Sequence, residues 1–330
     1  MDKPRLIYYE VLEFQRETLD YMSSFFDIAT LSNPRHDTIG ILKNASVIFA
    51  PMGFIFDKDK IDKCQSLQVI GSPTTGTHHI NVDYAAKRNI SICSLRNQQT
   101  FLSTITPTAE LAWGLVLAVT RRIPWALDSV CAGNWNGRVF GEQTPRMLSA
   151  MTLGIIGLGR LGSLVARYGK AFKMNVLYYD PFISDDKYTR CNDLYDLATK
   201  SDIVSIHVHL TDKTENLIDS KFLQSMPKGS FIINTARGGI VNEGALLEAL
   251  QMGYIAGAGL DMLAGEHLPG FKEKLNEHPL VKYAKIHDNL LITPKIGGAT
   301  IDAWEKTEKH IVDIIIKEFN IKTGILVGQI

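Results

Sequence analysis

The sequence predicts an α/β protein built from two doubly wound parallel sheets, and three observations carry the prediction. Short apolar runs alternate with helix-compatible polar stretches along the chain. The alternation starts afresh near Met151. A G-x-G-x-x-G turn stands at that restart, between an apolar strand and a helix. Strand–helix–strand rhythm leaves each strand parallel to the next and covered by helices on both faces. The length of 330 residues suffices for two ordinary domains.

Composition narrows the function classes. Hydrophobic residues make up 45% and charged residues 21%, the balance of a globular protein. Lys+Arg and Asp+Glu are both 35. With no basic surplus or stripe, nucleic acid is not an expected partner. The opening MDKPRLIYYEVLEF has no long apolar core or small-residue cleavage site, so no secretory signal is expected. No 18-residue apolar run is read, and no membrane span is expected. Cys64, Cys93, Cys131 and Cys191 are scattered without metal-ligand spacing, which fits reduced thiols in a cytoplasmic protein.

Taken in order, RLIYYEV (5–11), ASVIFAP (45–51), LQVIGSP (67–73) and ISICSL (90–95) read as strands. DKDKIDKC and NVDYAAKRN between them read as helices. Thr106 is placed to cap the next helix, with Pro107 at its first position and Glu110 in its first turn. The segment LAWGLVLAVTRRIPWAL is apolar nearly all round and must be buried in the fold or against another subunit. From Met151 six strands follow: TLGIIGLG, MNVLYYDP, DIVSIHVHL, SFIINTARGG, AGAGLDML and NLLITPKIGG. LGSLVARYGKAF and NEGALLEALQMG are helices among them, and IDAWEKTEKHIVDIIIKEF closes the chain as an amphipathic helix. Six strands are what a full dinucleotide-binding fold requires.

Gly157-Leu158-Gly159-Arg160-Leu161-Gly162 follows strand 152–156 and opens a helix running to about Phe172. Gly157 permits the tight turn, Gly159 leaves the pyrophosphate unobstructed, and Gly162 lets helix approach strand. The free N–H groups of the helix N-terminus favour phosphate. About 20 residues on, Asp180 ends the second strand, where a carboxylate accepts bonds from both ribose hydroxyls and repels a 2′-phosphate. Pro181 and Phe182 follow, with no Arg to welcome that phosphate, so the expected cofactor is NAD rather than NADP.

Three later strand ends carry chemistry. Thr235-Ala236-Arg237-Gly238 places a permanent cation off a strand terminus, able to grip a carboxylate with two hydrogen bonds. Gly259-Leu260-Asp261 follows, with Asp261 a candidate to hold the nicotinamide carboxamide and Glu266 a candidate partner for a proton donor. Thr293-Pro294-Lys295-Ile296-Gly297-Gly298 ends the last strand, with Lys295 facing the same crevice. An isolated Arg, loop Glu or strand-end Lys is ordinarily a solvated surface charge. Their company raises them.

Together these motifs resemble the D-isomer-specific 2-hydroxyacid dehydrogenases, from about Ala45 to Thr300. The resemblance implies a Rossmann-type cofactor domain, residues 106–299, inserted into a flavodoxin-like substrate domain of residues 1–105 plus 300–330, with the active site between them. It implies hydride transfer between nicotinamide and C2 of a small anionic 2-hydroxy/2-keto acid. Arg237 would bind substrate, Glu266 would be the partner carboxylate, and the N–H groups around Thr75-Gly76-Thr77 would hold the substrate carboxylate. Further cofactor contacts are expected at Thr108, His209, Thr214, Thr235 and Ala236, and homodimers are expected through the long helix opening the cofactor domain.

One departure bears on catalysis. The family's T-P-H-x-G-G carries its catalytic His, and Lys295 stands in that place. A lysine ammonium ordinarily titrates near about 10.4 against about 6.5 for histidine, so it remains an acid but is a poorer base at neutral pH. His78 stands where many members have Asp, and His209 where many have Pro. His207 and His209 would share a strand face, but no third ligand is apparent and no metal is expected. The loop Pro51-Met52-Gly53-Phe54 lacks the Arg that phosphate-binding members often place there, although Arg96 and Arg138 offer alternatives. Met52 and Phe101 would form an apolar substrate wall. The rival readings are a catalytically weak NAD(H)-sensing binding protein on the same fold, and oxidation of another small anion such as formate or phosphite.

Overall fold

The computed structural model describes residues 3–143, 146–268 and 270–323. By contact the chain divides into two compact units, Met1–Ile105 with Thr300–Ile330, and Thr106–Ala299. The first unit runs β1 (Arg5–Tyr9), α1 (Arg16–Phe25), β2 (Asp27–Leu31), α2 (Ile39–Lys43), β3 (Val47–Phe49), α3 (Lys58–Lys63), β4 (Val69–Ser72), α4 (Val82–Lys87), β5 (Ser91–Ser94) and α5 (Gln99–Leu102). Its five strands are all parallel in the order β2-β1-β3-β4-β5. That is the flavodoxin-like order. β2 and α1 are absent from the sequence reading. Asp27-Ile28-Ala29-Thr30-Leu31 is an edge strand paired only with β1, so it needs no continuous apolar run.

The second unit runs α6 (Pro107–Thr120), α7 (Ile123–Cys131), α8 (Gly137–Gln143), β6 (Thr152–Ile156), α9 (Arg160–Ala171), β7 (Asn175–Tyr179), β8 (Thr189–Arg190), α10 (Leu194–Lys200), β9 (Ile203–Ile206), α11 (Ser220–Ser225), β10 (Ser230–Asn234), α12 (Glu243–Gln251), β11 (Ile255–Leu260), α13 (Pro279–Ala284) and β12 (Leu290–Ile292). Its parallel sheet has the order β12-β11-β10-β9-β6-β7-β8. The strand beyond the six expected is β8, a two-residue edge too short to show a pattern. The chain returns to the first unit with α14 (Ile301–Thr323).

In the first unit, strand alternation sorts the core. Leu6, Tyr8, Val47, Phe49 and Val69 lie on one face, and Ile7, Tyr9, Ile48 and Ile70 on the other. Both faces are apolar because both are covered. On the first face, α14 contributes Ile311, Val312, Ile315, Ile316 and Phe319, a stripe at helical spacing. A Cβ at Gly71 would run into Ile315, so this glycine lets α14 lie directly on β4. Glu308 of α14 accepts a hydrogen bond from Gln15 N–H at 2.8 Å at the start of α1, and burial pushes its carboxyl pKa up.

Three sequence expectations need correction here. Thr106 does not cap α6: its hydroxyl donates to Glu110 in the next turn. The long apolar helix is two helices, because Arg122 adopts a left-handed conformation (φ 55°) and Pro124 follows within the first turn of α7. A stretch apolar and long enough to cross a membrane by length and composition does exist, Gln99–Thr120. It divides into α5 and the 14-residue α6. At 1.5 Å per residue α6 reaches only about 21 Å, and it packs on β10, β11 and α9.

Candidate active site

The turn between β6 and α9 has the geometry of a phosphate cradle. Gly157 sits at φ +89°, and a Cβ there would meet Val208 and the His207 carbonyl oxygen at 2.7 and 2.8 Å. A Cβ on Gly162 would drive into the Gly157 carbonyl. On Gly159 it would meet nothing within 4 Å, so open space lies over the N-terminus of α9. Arg160 and Leu161 form the first turn of that helix, and burial draws the Arg160 pKa down. This space, and the buried Thr235 hydroxyl oxygen with no protein partner among the described residues, fit a bound dinucleotide.

Asp180 is buried and already engaged. Its Oδ1 accepts from Phe182 and Ile183 N–H at 2.8 and 2.9 Å, and its Oδ2 accepts from Leu158 N–H at 2.8 Å. A carboxylate has about four lone-pair sites, so one remains for a ribose hydroxyl rather than the two expected. The carboxylate thus also holds the glycine turn from below. The sheet edge adds what the linear sequence did not show: Arg190, paired with Tyr178 across β7 and β8, donates to the Asp180 carbonyl at 2.8 Å. His207 and His209 lie beyond the end of β9, not on it. His207 is half-buried, and this burial pushes its pKa down to about 4. Its Nε2 hydrogen-bonds Ser205 Oγ at 2.8 Å. No cluster of three metal-ligating side chains occurs among the described residues. The His209 carbonyl accepts from the Thr214 hydroxyl at 2.6 Å, closing the loop after β9.

Three loops at the ends of β10, β11 and β12 carry the charged candidates, and a buried side chain organises the first and the last. Asn234 receives Ala236 N–H at 3.0 Å and donates to the Arg237 carbonyl at 2.8 Å, tightening the turn that presents Arg237. The exposed Arg237 guanidinium donates to the Ala236 carbonyl at 2.6 Å. Asp261 does not stand free for a carboxamide. Its Oδ1 accepts from the Thr293 hydroxyl at 2.6 Å and Ile296 N–H at 2.9 Å, and its Oδ2 accepts from Gly297 N–H at 2.8 Å. Thr108 packs its methyl against Gly297, 3.2 Å from where a Cβ would be. The loop so pinned carries Lys295 in a left-handed conformation (φ 59°). Lys295 Nζ meets Glu266 Oε1 at 2.8 Å, with the carboxylate side chain 17% exposed and the lysine 61%. The carboxylate aims the lysine Nζ, and most of the lysine side chain stays accessible. The glycine after Arg237 has its own reason: a Cβ on Gly238 would enter the backbone of Leu263 and Ala264, so the Arg237 turn abuts the Glu266 loop directly.

The organising roles of Asn234 and Asp261 were missed from sequence because they are hydrogen-bond assignments between loops. Their only linear signal is an Asn directly before T-A-R-G and an Asp directly before the loop to Glu266. His287, in the loop before β12, stacks on Tyr283 at 4.0 Å between ring centroids.

In the first unit, Thr75-Gly76-Thr77 lies in the loop after β4. The Thr74 hydroxyl donates to the Gly76 carbonyl at 2.7 Å, and Leu95 N–H donates to the Thr74 carbonyl at 3.0 Å. The N–H groups of Thr75, Gly76 and Thr77 have no protein acceptor among the described residues, leaving three donors for an anion. His79 beneath them is buried, with Nε2 on the Ala50 carbonyl at 2.9 Å, and burial lowers its pKa. Met52 is exposed in the loop after β3. Phe101 does not stand free as a wall: it stacks on His310 at 3.7 Å between ring centroids.

Comparison with known proteins shows the family. A family described as D-isomer specific 2-hydroxyacid dehydrogenase, NAD binding domain, matches residues 113–297. A D-3-phosphoglycerate dehydrogenase of Methanocaldococcus jannaschii is 34% identical over 281 residues, 84% of this chain and 50% of that protein. The chain therefore spans about half the length of that relative. A glyoxylate reductase of Thermofilum pendens is 37% identical over 260 residues, 76% of this chain and 71% of that protein. The structure of a D-lactate dehydrogenase from Aquifex aeolicus, complexed with NAD and lactic acid, aligns with a TM-score of 0.75 at 27% identity, covering 99% of this chain and 100% of that one. The chain belongs to the D-isomer-specific 2-hydroxyacid dehydrogenases, a family of NAD-dependent oxidoreductases.

Proposed function

We propose that this protein interconverts a small 2-keto acid and its 2-hydroxy acid. The reading rests on one observation above the rest, the Lys295–Glu266 contact at 2.8 Å, because it makes the lysine in the family's histidine position a paired and directed proton donor. NADH, when bound, supplies the hydride that reduces the C2 carbonyl. Arg237 holds the substrate carboxylate and polarises the carbonyl. As negative charge develops on the carbonyl oxygen, the Lys295 ammonium gives it a proton, and Glu266 compensates the ammonium before transfer. In the oxidative direction the same nitrogen takes the hydroxyl proton back. In the unit we assign to substrate binding, the N–H groups of Thr75, Gly76 and Thr77 are donors for an anion, and Met52 is a candidate substrate contact. Ile123, Leu127 and Val130 on α7 leave an exposed apolar surface, which supports a homodimer through this region.

The test is NADH oxidation, followed by loss of its near-ultraviolet absorbance, with glyoxylate, hydroxypyruvate, branched 2-keto acids and phosphohydroxypyruvate. Lys295→Ala is expected to lower kcat by about a hundredfold or more, the usual worth of a positioned acid. Unchanged turnover in Lys295→Ala removes the lysine from the mechanism. Turnover seen only in Lys295→His moves the protein to the NAD(H)-sensing class.

A further inference from the structure

We propose that Glu243 and His278, outside the charged triad, form a positioning pair that fixes the loop bearing Glu266 and thereby the Lys295–Glu266 contact. The proposal builds on the acid/base reading above. Glu243 opens α12, and its Oε1 accepts from the backbone N–H of Ala264 at 2.7 Å, two residues before Glu266. Its Oε2 lies 3.2 Å from His278 Nε2, at the residue preceding α13. Neither side chain is a surface group: they are 19% and 14% exposed. A covered carboxylate that loses a hydrogen-bond donor is left with an unsatisfied lone pair, which costs more than the loss of a surface contact. Burial pushes the Glu243 pKa up, while the Ala264 N–H and His278 oppose that rise.

The pair is placed to act on both catalytic loops. Seen from Ala264, the chain is clamped on two sides. On one side Gly238 brings the Arg237 turn into backbone contact with Leu263 and Ala264. On the other, Glu243 from the same segment, five residues on, accepts the Ala264 N–H. The segment that starts with the substrate-gripping Arg237 therefore ends with the carboxylate that fixes the height of the Glu266 loop. For Glu243 to accept from Nε2, that nitrogen must carry hydrogen. The other ring nitrogen, Nδ1, is buried without a partner, so the imidazole is committed to Glu243. A gap opened under Ala264 would let the loop relax and carry Glu266 from the ammonium. Displacements of about 1 Å at such a site cost up to about a hundredfold in rate.

Amide hydrogen exchange resolved at Ala264 and steady-state reduction of the preferred 2-keto acid, both on the full chain, compare wild type with Glu243→Ala, Glu243→Gln and His278→Ala. Glu243→Ala is expected to exchange at Ala264 at least about tenfold faster. Its kcat should fall at least about tenfold while KM for NADH stays within about twofold. Glu243→Gln keeps an oxygen for the Ala264 N–H and should recover most of both losses. His278→Ala frees the carboxylate to turn away and should also speed exchange, which keeps the test open if Glu243→Ala does not fold. Unchanged exchange in the folded variants overturns the proposal, and so does faster exchange with unchanged kcat. If wild type reduces no 2-keto acid, the functional reading fails separately, and exchange at Ala264 still decides whether the pair pins the loop.

Discussion

A left-handed backbone at a residue with a full side chain costs about 1–3 kcal/mol, and Lys295 carries that strain at φ 59°. Asp261 explains how it is held. Its carboxylate takes donors from Thr293, Ile296 and Gly297, and its carbonyl takes Lys295 N–H at 3.1 Å. The position of Lys295 was legible from the T-P-x-x-G-G pattern. The strain was not, because it arises from bonds made 34 residues away in sequence, between Asp261 and Lys295. His207 supports a prediction at this scale. Its folded pKa of about 4 lies below the ordinary histidine value of 6.5. Between those two values the unfolded chain binds the proton and the folded chain does not. His207 therefore contributes nothing against folding above about pH 6.5, and stability is lost as the pH falls from there toward 4. The loss is at most on the order of 3 kcal/mol. Urea unfolding of wild type between pH 7 and pH 4.5 should show a steeper fall than His207→Gln, which keeps a hydrogen-bonding partner for Ser205. Equal slopes would mean that the ring is solvated enough to titrate normally.

At the scale of elements, the β6–α9 turn separates two kinds of glycine. Gly159→Ala meets open space and a backbone (φ −67°) that alanine adopts, so the melting temperature should stay within about 2 °C. The added methyl would nonetheless occupy the place kept for the pyrophosphate, and NADH affinity should fall at least about tenfold. Gly162→Ala collides with the Gly157 carbonyl, a backbone atom that cannot move without reshaping the turn. It should cost about 1–3 kcal/mol of stability as well as affinity. Calorimetry with fluorescence titration of NADH distinguishes the two, and a Gly159→Ala variant that binds normally would remove the phosphate-cradle reading. The sequence showed this turn clearly, because strand, glycine spacing, helix and acid are all local. It did not show that Asp180 also bonds the turn at Leu158, or that the long apolar helix breaks at Arg122.

At the scale of the whole molecule, the second unit is one continuous segment and the first is made of two. That asymmetry predicts different responses to cutting. Residues 106–299 expressed alone should fold and bind NADH, since both large clusters of their core lie within that segment. Removing residues 301–330 should unfold the first unit, because Ile311, Val312, Ile315, Ile316 and Phe319 leave one face of its sheet bare. Loss of about five buried apolar side chains, at roughly 1.5–3 kcal/mol each, is comparable to the whole stability of an ordinary domain. A truncated chain showing two cooperative unfolding transitions, as the full chain would, counts against this division.

Hydrophobic periodicity, glycine spacing and the order of charged strand ends are short-range properties, and they determined the α/β class, the dinucleotide turn and the candidates Arg237, Glu266 and Lys295. The edge strands β2 and β8 escaped because an edge needs one neighbour and little apolar content. Tertiary structure alone decided which side chains act on which loops: Asn234 on the Arg237 turn, Asp261 on the Lys295 loop, Glu243 on the Glu266 loop. The physical reason is that a buried carboxylate or amide must find partners for its lone pairs wherever the fold brings backbone N–H groups within reach. Those meetings depend on how parallel strands distant in sequence are stacked side by side, which no local pattern records.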